Sequence, residues 1–76
     1  MENSKQILLT RLAKAVKTRR NELGISQEKL AEICNFDRTY ISLIERAKRN
    51  PTYLNLEKLC IGLDMKLCKL LENIDE

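Results

Sequence analysis

The chain has no histidine and no tryptophan, two glycines, one proline and three aromatic residues among 76. Without histidine the commonest general base and the commonest imidazole metal ligand are both missing. The cysteines Cys34, Cys60 and Cys68 form an odd set with no Cys-x-x-Cys spacing, so neither a zinc site nor a disulfide framework is expected. All three read as reduced core thiols of a cytoplasmic protein. So few glycines and prolines exclude a turn-rich β fold, and 43% hydrophobic residues exclude a disordered chain. No apolar run approaches the ~18 residues that span a bilayer, and residues 1–10 lack the apolar stretch of a signal peptide. A chain of this length buries only roughly 60% of its unfolded surface, too little for both a core and a deep substrate cleft. No enzyme activity, cofactor, metal or small-molecule ligand is expected.

What is present is charge, unevenly distributed. Residues 1–50 hold eleven basic and six acidic side chains, and residues 51–76 hold three and five. A basic front joined to a mildly acidic back predicts that one surface meets a polyanion while the other does something else. The carboxylates Glu28 and Glu32 stand four residues apart on a helix surface, where a solvated face is the plain reading.

The pattern along the chain is helical. From Ser4 to Leu23, Leu8 or Leu9, Leu12, Val16 and Leu23 recur near helical spacing. Gly24 follows as a left-handed stop, and Ser26 is an N-cap for a second helix over Gln27–Cys34 that buries Leu30, Ala31 and Cys34. Asn35 tolerates the positive φ of a sharp turn, Phe36 plugs it, and Asp37 caps a third helix running to about Arg46. Helix, short turn, helix is the resulting unit. On the third helix Ile41 and Ile44 share one face, and Thr39, Ser42, Leu43 and Arg46 project from the other, with Arg38 at its N-terminal flank. Those are side chains suited to base edges rather than to bulk solvent, although Leu43 reads equally as core. Ala47-Lys48-Arg49-Asn50-Pro51 is a basic loop. Thr52 caps a fourth helix to about Leu63 that buries Leu56, Leu59, Cys60 and Leu63, with Gly62 giving room for close packing. Leu67, Leu70, Leu71 and Ile74 form the stripe of a fifth. The expected fold is one all-α, five-helix domain over residues 1–76.

The stretch from Leu12 to Leu71 resembles the lambda-repressor-like helix-turn-helix domains of the Cro and XRE family. The likeness rests on the joint spacing of Gln27, Ala31, Asn35, Ile41 and Ile44. Asp37-Arg38-Thr39-Tyr40-Ile41-Ser42, with Glu45-Arg46 and Arg49-Asn50, is similar to the controller proteins of restriction–modification systems. The resemblance implies a homodimeric, cytoplasmic transcription regulator of an inverted-repeat operator on double-stranded DNA. It implies that Arg38, Thr39, Ser42, Leu43 and Arg46 read bases, and that Arg20, Gln27, Tyr40, Arg49 and Asn50 hold phosphates. In relatives that activate transcription an acidic patch on this helix meets RNA polymerase, so the resemblance implies a polymerase contact at Glu28 and Glu32. A phage-type repressor, an antitoxin and a protein-interaction domain of the same fold are the alternatives. Three departures stand out, of which the first, Asn35 in place of glycine at the turn, is tolerable. Ala47 replaces a common glycine, which predicts that the third helix lacks its left-handed cap, and Lys66 replaces the serine that commonly caps the fifth.

The last helix carries more apolar surface than so small a core absorbs. Leu70 is expected in the monomer core, while Met65, Leu67, Leu71 and Ile74 are expected at a dimer interface over about residues 67–74. One recognition helix seldom supplies enough affinity by itself.

Overall fold

The computed structural model describes residues 4–74, and these contain five helices and no strand. They are α1 (Ser4–Leu23), α2 (Gln27–Cys34), α3 (Arg38–Glu45), α4 (Tyr53–Gly62) and α5 (Leu67–Ile74). Each boundary has a local cause. Gly24 takes φ +70° and closes α1. The Ser26 hydroxyl accepts from the Lys29 N–H at 3.0 Å to open α2. Asn35 closes α2 at φ 61°, ψ 43°, and Asp37 Oδ1 accepts from the Thr39 N–H at 2.8 Å to open α3. The Thr52 hydroxyl accepts from the Asn55 N–H at 3.1 Å to open α4. α5 starts at Leu67 with no capping hydroxyl; the backbone carbonyl of Lys66 accepts from the N–H groups of Lys69 and Leu70.

The helices α2, α3 and α5 are eight residues each, too short to persist alone in water. Their geometry therefore comes from packing. Val16 of α1, Leu30 of α2, Ile41 and Ile44 of α3, Leu59 and Leu63 at α4, and Leu70 of α5 are wholly buried and meet in one core. α1 is the spine, packed on α3 and α5, while α2 bridges α3 and α4. A Cβ on Gly62 would overlap the Cys34 Sγ and stand 2.9 Å from Leu30 Cδ1. Only glycine admits the approach of α4 to α2.

Three expectations are corrected here. On α1 the buried face is Leu12, Ala13, Ala15 and Val16, with Leu8 half exposed; the small alanines bring the spine close to its neighbours. Cys68 is exposed and does not belong to the core, unlike Cys34 and Cys60. Burial pushes the Cys34 thiol up and, aided by the nearby Glu57 carboxylate, the Cys60 thiol up to about 11, so both stay protonated and inert near neutrality. Thirdly, α3 keeps its left-handed cap without glycine. Ala47 adopts φ 59°, and the Ala47 and Lys48 N–H groups donate to the Ile44 and Leu43 carbonyls at 3.0 and 2.8 Å. The two hydrogen bonds outweigh the roughly 1–2 kcal/mol that a Cβ costs in this region.

Ala47→Gly removes that Cβ strain and leaves the hydrogen bonds intact. It is expected to stabilise the fold by about 0.5–1 kcal/mol, after the larger unfolded-state entropy of glycine is subtracted. Thermal unfolding followed by circular dichroism reads this as a Tm higher by a few degrees; a lower Tm would refute the strain at Ala47.

Candidate nucleic-acid interface

The outer face of α3 presents Arg38 and Thr39 exposed at its first turn, Ser42 and Leu43 half-buried at its middle, and Arg46 exposed at its end. The exposed Asp37 carboxylate caps the helix, accepting from the Thr39 N–H. The loop after α3 adds Lys48, Arg49 and Asn50, all exposed. The result is a ridge of cations and short hydroxyls with two wholly buried isoleucines, Ile41 and Ile44, beneath it. Such a ridge can offer bidentate guanidinium donors to guanine and small hydroxyls to either neighbouring base.

The ridge is held by a carboxylate that the sequence did not single out. Glu45, at the last position of α3, has a side chain only 2% exposed. Its two oxygens accept from Arg20 Nε at 2.7 Å, Arg20 Nη2 at 3.0 Å and Gln27 Nε2 at 3.0 Å. Arg20 Nη1 also donates to the Ile25 carbonyl at 2.8 Å. Glu45 thus joins α1, the first residue of α2 and the end of α3, and Arg20 adds the turn before α2. The Glu45 hydrogen bond holds the Arg20 guanidinium above its ordinary range against the opposing effect of burial.

This geometry corrects the reading of Arg20 as a phosphate ligand. Its side chain is 11% exposed, and its guanidinium is spent on Glu45 and Ile25, so its role is to neutralise and orient Glu45. The neighbouring Arg19 is likewise used internally, donating to the Leu63 and Asp64 carbonyls at 2.9 and 3.0 Å and so satisfying the end of α4. The Gln27 amide is half-buried and oriented by Glu45.

Tyr40 lies half-buried beside the ridge. The Phe36 and Tyr40 ring centroids are 4.9 Å apart with the rings inclined at 62°, the Arg49 guanidinium lies 5.4 Å above the Tyr40 ring, and Asn55 Nδ2 donates to its hydroxyl at 2.9 Å. Glu28 and Glu32 are exposed on α2, with Lys29 Nζ 3.3 Å from Glu32.

Away from the ridge, Met65, Leu67 and Ile74 are partly buried against the chain's own core, and Leu71 is 42% exposed. Leu70 is wholly buried, as expected. The larger exposed apolar side chains are on α4, where Leu54 is 71% and Ile61 74% exposed. Neither was expected, because Asn55, Glu57 and Lys58 interrupt the apolar residues of α4 and helical periodicity sets no exposed apolar face apart.

A helix-turn-helix family model matches residues 16–70. The chain belongs to the helix-turn-helix family. It is 41% identical over 63 residues to the control protein C.MunI of Mycoplasma sp., covering 83% of this chain and 85% of that protein. Among solved structures it is similar to the restriction–modification controller protein C.Esp1396I, with a TM-score of 0.83 and 41% identity over 90% of this chain and 87% of that one. It is also similar to the tetramer of that controller in complex with its natural 35 base-pair operator, with a TM-score of 0.80 and 40% identity over 91% and 96% of the two chains. Within the described residues of the present chain, no group of three potential ligands could hold a metal ion and no helix is long and apolar enough to cross a membrane.

Removing the Arg20 guanidinium leaves a buried carboxylate with Gln27 as its remaining side-chain partner. Arg20→Met is therefore expected to destabilise the fold by about 3–5 kcal/mol, and Arg20→Met with Glu45→Leu by less than Arg20→Met alone. Urea unfolding of the two variants checks the order; a costlier double variant would refute the account of Glu45.

Proposed function

We propose that the chain is a homodimeric, sequence-specific DNA-binding transcription regulator that acts in the cytoplasm on an inverted-repeat operator and controls restriction–modification genes. The observation that carries this is the exposed cationic ridge of α3, in a chain that shares its fold and about two fifths of its residues with a controller solved on its operator. The whole chain serves as one DNA-binding unit, and its role is binding rather than catalysis.

In this reading α3 enters the major groove. Arg38, Thr39, Ser42, Leu43 and Arg46 face base edges, while Gln27, Tyr40, Arg49 and Asn50 lie against the sugar–phosphate backbone and fix the register. Glu45 neutralises no part of the ridge, because Arg20 and Gln27 already take its charge and its lone pairs. The exposed Glu28 and Glu32 form the contact for RNA polymerase on the outer side of α2. Two protomers joined through α4 and α5 place two ridges about one helical turn, roughly 34 Å, apart. Leu54, Ile61 and Leu71 are the side chains most open to a partner, with Met65, Leu67 and Ile74 flanking from the core side. Covering apolar surface of that kind yields about 25 cal/mol per Å², partly offset by the lost freedom of association. The dimer is expected to loosen on dilution.

Two measurements test the reading. Arg38→Ala is expected to cost about 1–3 kcal/mol on the duplex that the wild-type protein selects from a randomised pool and far less on random DNA; equal losses on both would reduce Arg38 to a phosphate contact. Ile61→Asp and Leu71→Asp are each expected to give a folded, helical monomer with operator affinity lower by orders of magnitude. Sedimentation that still shows a dimer for both would place the interface elsewhere.

A further inference from the structure

We propose that Asn55 is a positioning residue for DNA recognition: its side-chain amide fixes the Tyr40 hydroxyl so that the phenolic proton is presented to a backbone phosphate. The inference rests on the reading of α3 as the DNA-facing helix and adds to it a residue from α4.

Asn55 is the third residue of α4, and its backbone N–H already serves the Thr52 cap. A side chain at that position ordinarily reaches back to the capping residue when it is Glu or Gln. Asn55 instead turns across to α3, where its Nδ2 stands 2.9 Å from the Tyr40 oxygen. The polarity of that bond matters. An amide N–H only donates, so the phenol oxygen is the acceptor and its own proton is left for another acceptor. Two further contacts restrict the ring: the Phe36 ring packs against it at an interplanar angle of 62°, and Arg49 covers its face. With ring and hydroxyl both held, the remaining O–H direction is set before DNA arrives, and the exposed Arg49 beside it supplies the positive potential that draws a phosphate to the same place. No ordering of Tyr40 is then required on binding.

The placement of Asn55 also has a consequence for assembly. It follows Leu54, which is 71% exposed on the surface proposed for the partner. The first turn of α4 thus carries Leu54 on the surface proposed for the partner and, one residue on, Asn55 on the Tyr40 hydroxyl.

A double-mutant cycle on the full chain tests this, using the duplex selected by the wild-type protein from a randomised pool. Asn55→Ala is expected to weaken binding about fivefold and Tyr40→Phe about tenfold, the range of one hydrogen bond. In the Tyr40→Phe background Asn55→Ala is expected to change binding less than about twofold, because its target is gone. Asn55→Asp, which is isosteric and favoured near a helix N-terminus, keeps the fold while turning the donor into an acceptor that captures the phenol proton. It is expected to bind more weakly than Asn55→Ala, with a wild-type thermal melt. Equal losses from Asn55→Ala in both backgrounds, or no loss in the wild-type background, would overturn the inference while leaving the DNA reading in place. A wild-type protein that selects no duplex would overturn both.

Discussion

The geometry of the candidate interface depends on one buried carboxylate. α2 and α3 have eight residues each, and neither has enough hydrogen bonds to hold a direction by itself. Apolar contacts through Leu30, Ile41 and Ile44 press the pair together but are tolerant of small rotations, since apolar packing is not directional. The Glu45 carboxylate is directional. It takes two hydrogen bonds from Arg20 and one from Gln27, so the end of α3 is tied to the spine and to the start of α2 at the same time. A buried ion pair is a weak source of net stability, because desolvation offsets most of the Coulomb attraction, and its best-attested use is to select one arrangement among several. For a helix proposed to meet base edges, such selection of one orientation is what the role would require.

The same economy governs the basic residues. The front of the chain has eleven cations, yet Arg19 and Arg20 both turn inward, one to the carbonyls that end α4 and one to Glu45. What is left on the ridge and its loop is Arg38, Arg46, Lys48 and Arg49, all exposed. Net charge by residue count therefore overstates the surface that a polyanion meets.

The fold was legible because its signals are local. Gly24, Ser26, Asn35, Asp37 and Thr52 each mark a boundary through their own backbone preference or their own hydroxyl or carboxylate, and each boundary stands where that chemistry puts it. Ala47 shows the limit of such reasoning. Its left-handed conformation is imposed by the hydrogen bonds of its neighbours, a competition that residue preference alone does not decide. The exposed ridge was legible for the same reason as the boundaries, since helical periodicity separates Ile41 and Ile44 from Thr39 and Arg46. The role of Arg20 was not, because its partner Glu45 lies 25 residues away and nothing in the local sequence distinguishes an arginine that faces water from one that faces a carboxylate. Asn55 escaped notice for the same reason, being 15 residues from Tyr40.

α4 is the element in which these constraints meet. Gly62 lets its C-terminal end press against Cys34 and Leu30, which fixes it to α2. Its N-terminal turn reaches α3 through Asn55, and its remaining face leaves Leu54 and Ile61 in water. Single exposed apolar side chains are ordinary, but Leu54 and Ile61 stand seven residues apart on the same face of one short helix. Placing the uncovered face on the helix that also touches the reading ridge means that whatever covers it bears on the orientation of α3. In the dimer proposed above, α4 would carry both the exposed apolar side chains Leu54 and Ile61 and the Asn55 contact to Tyr40, so that assembly and recognition would share one helix.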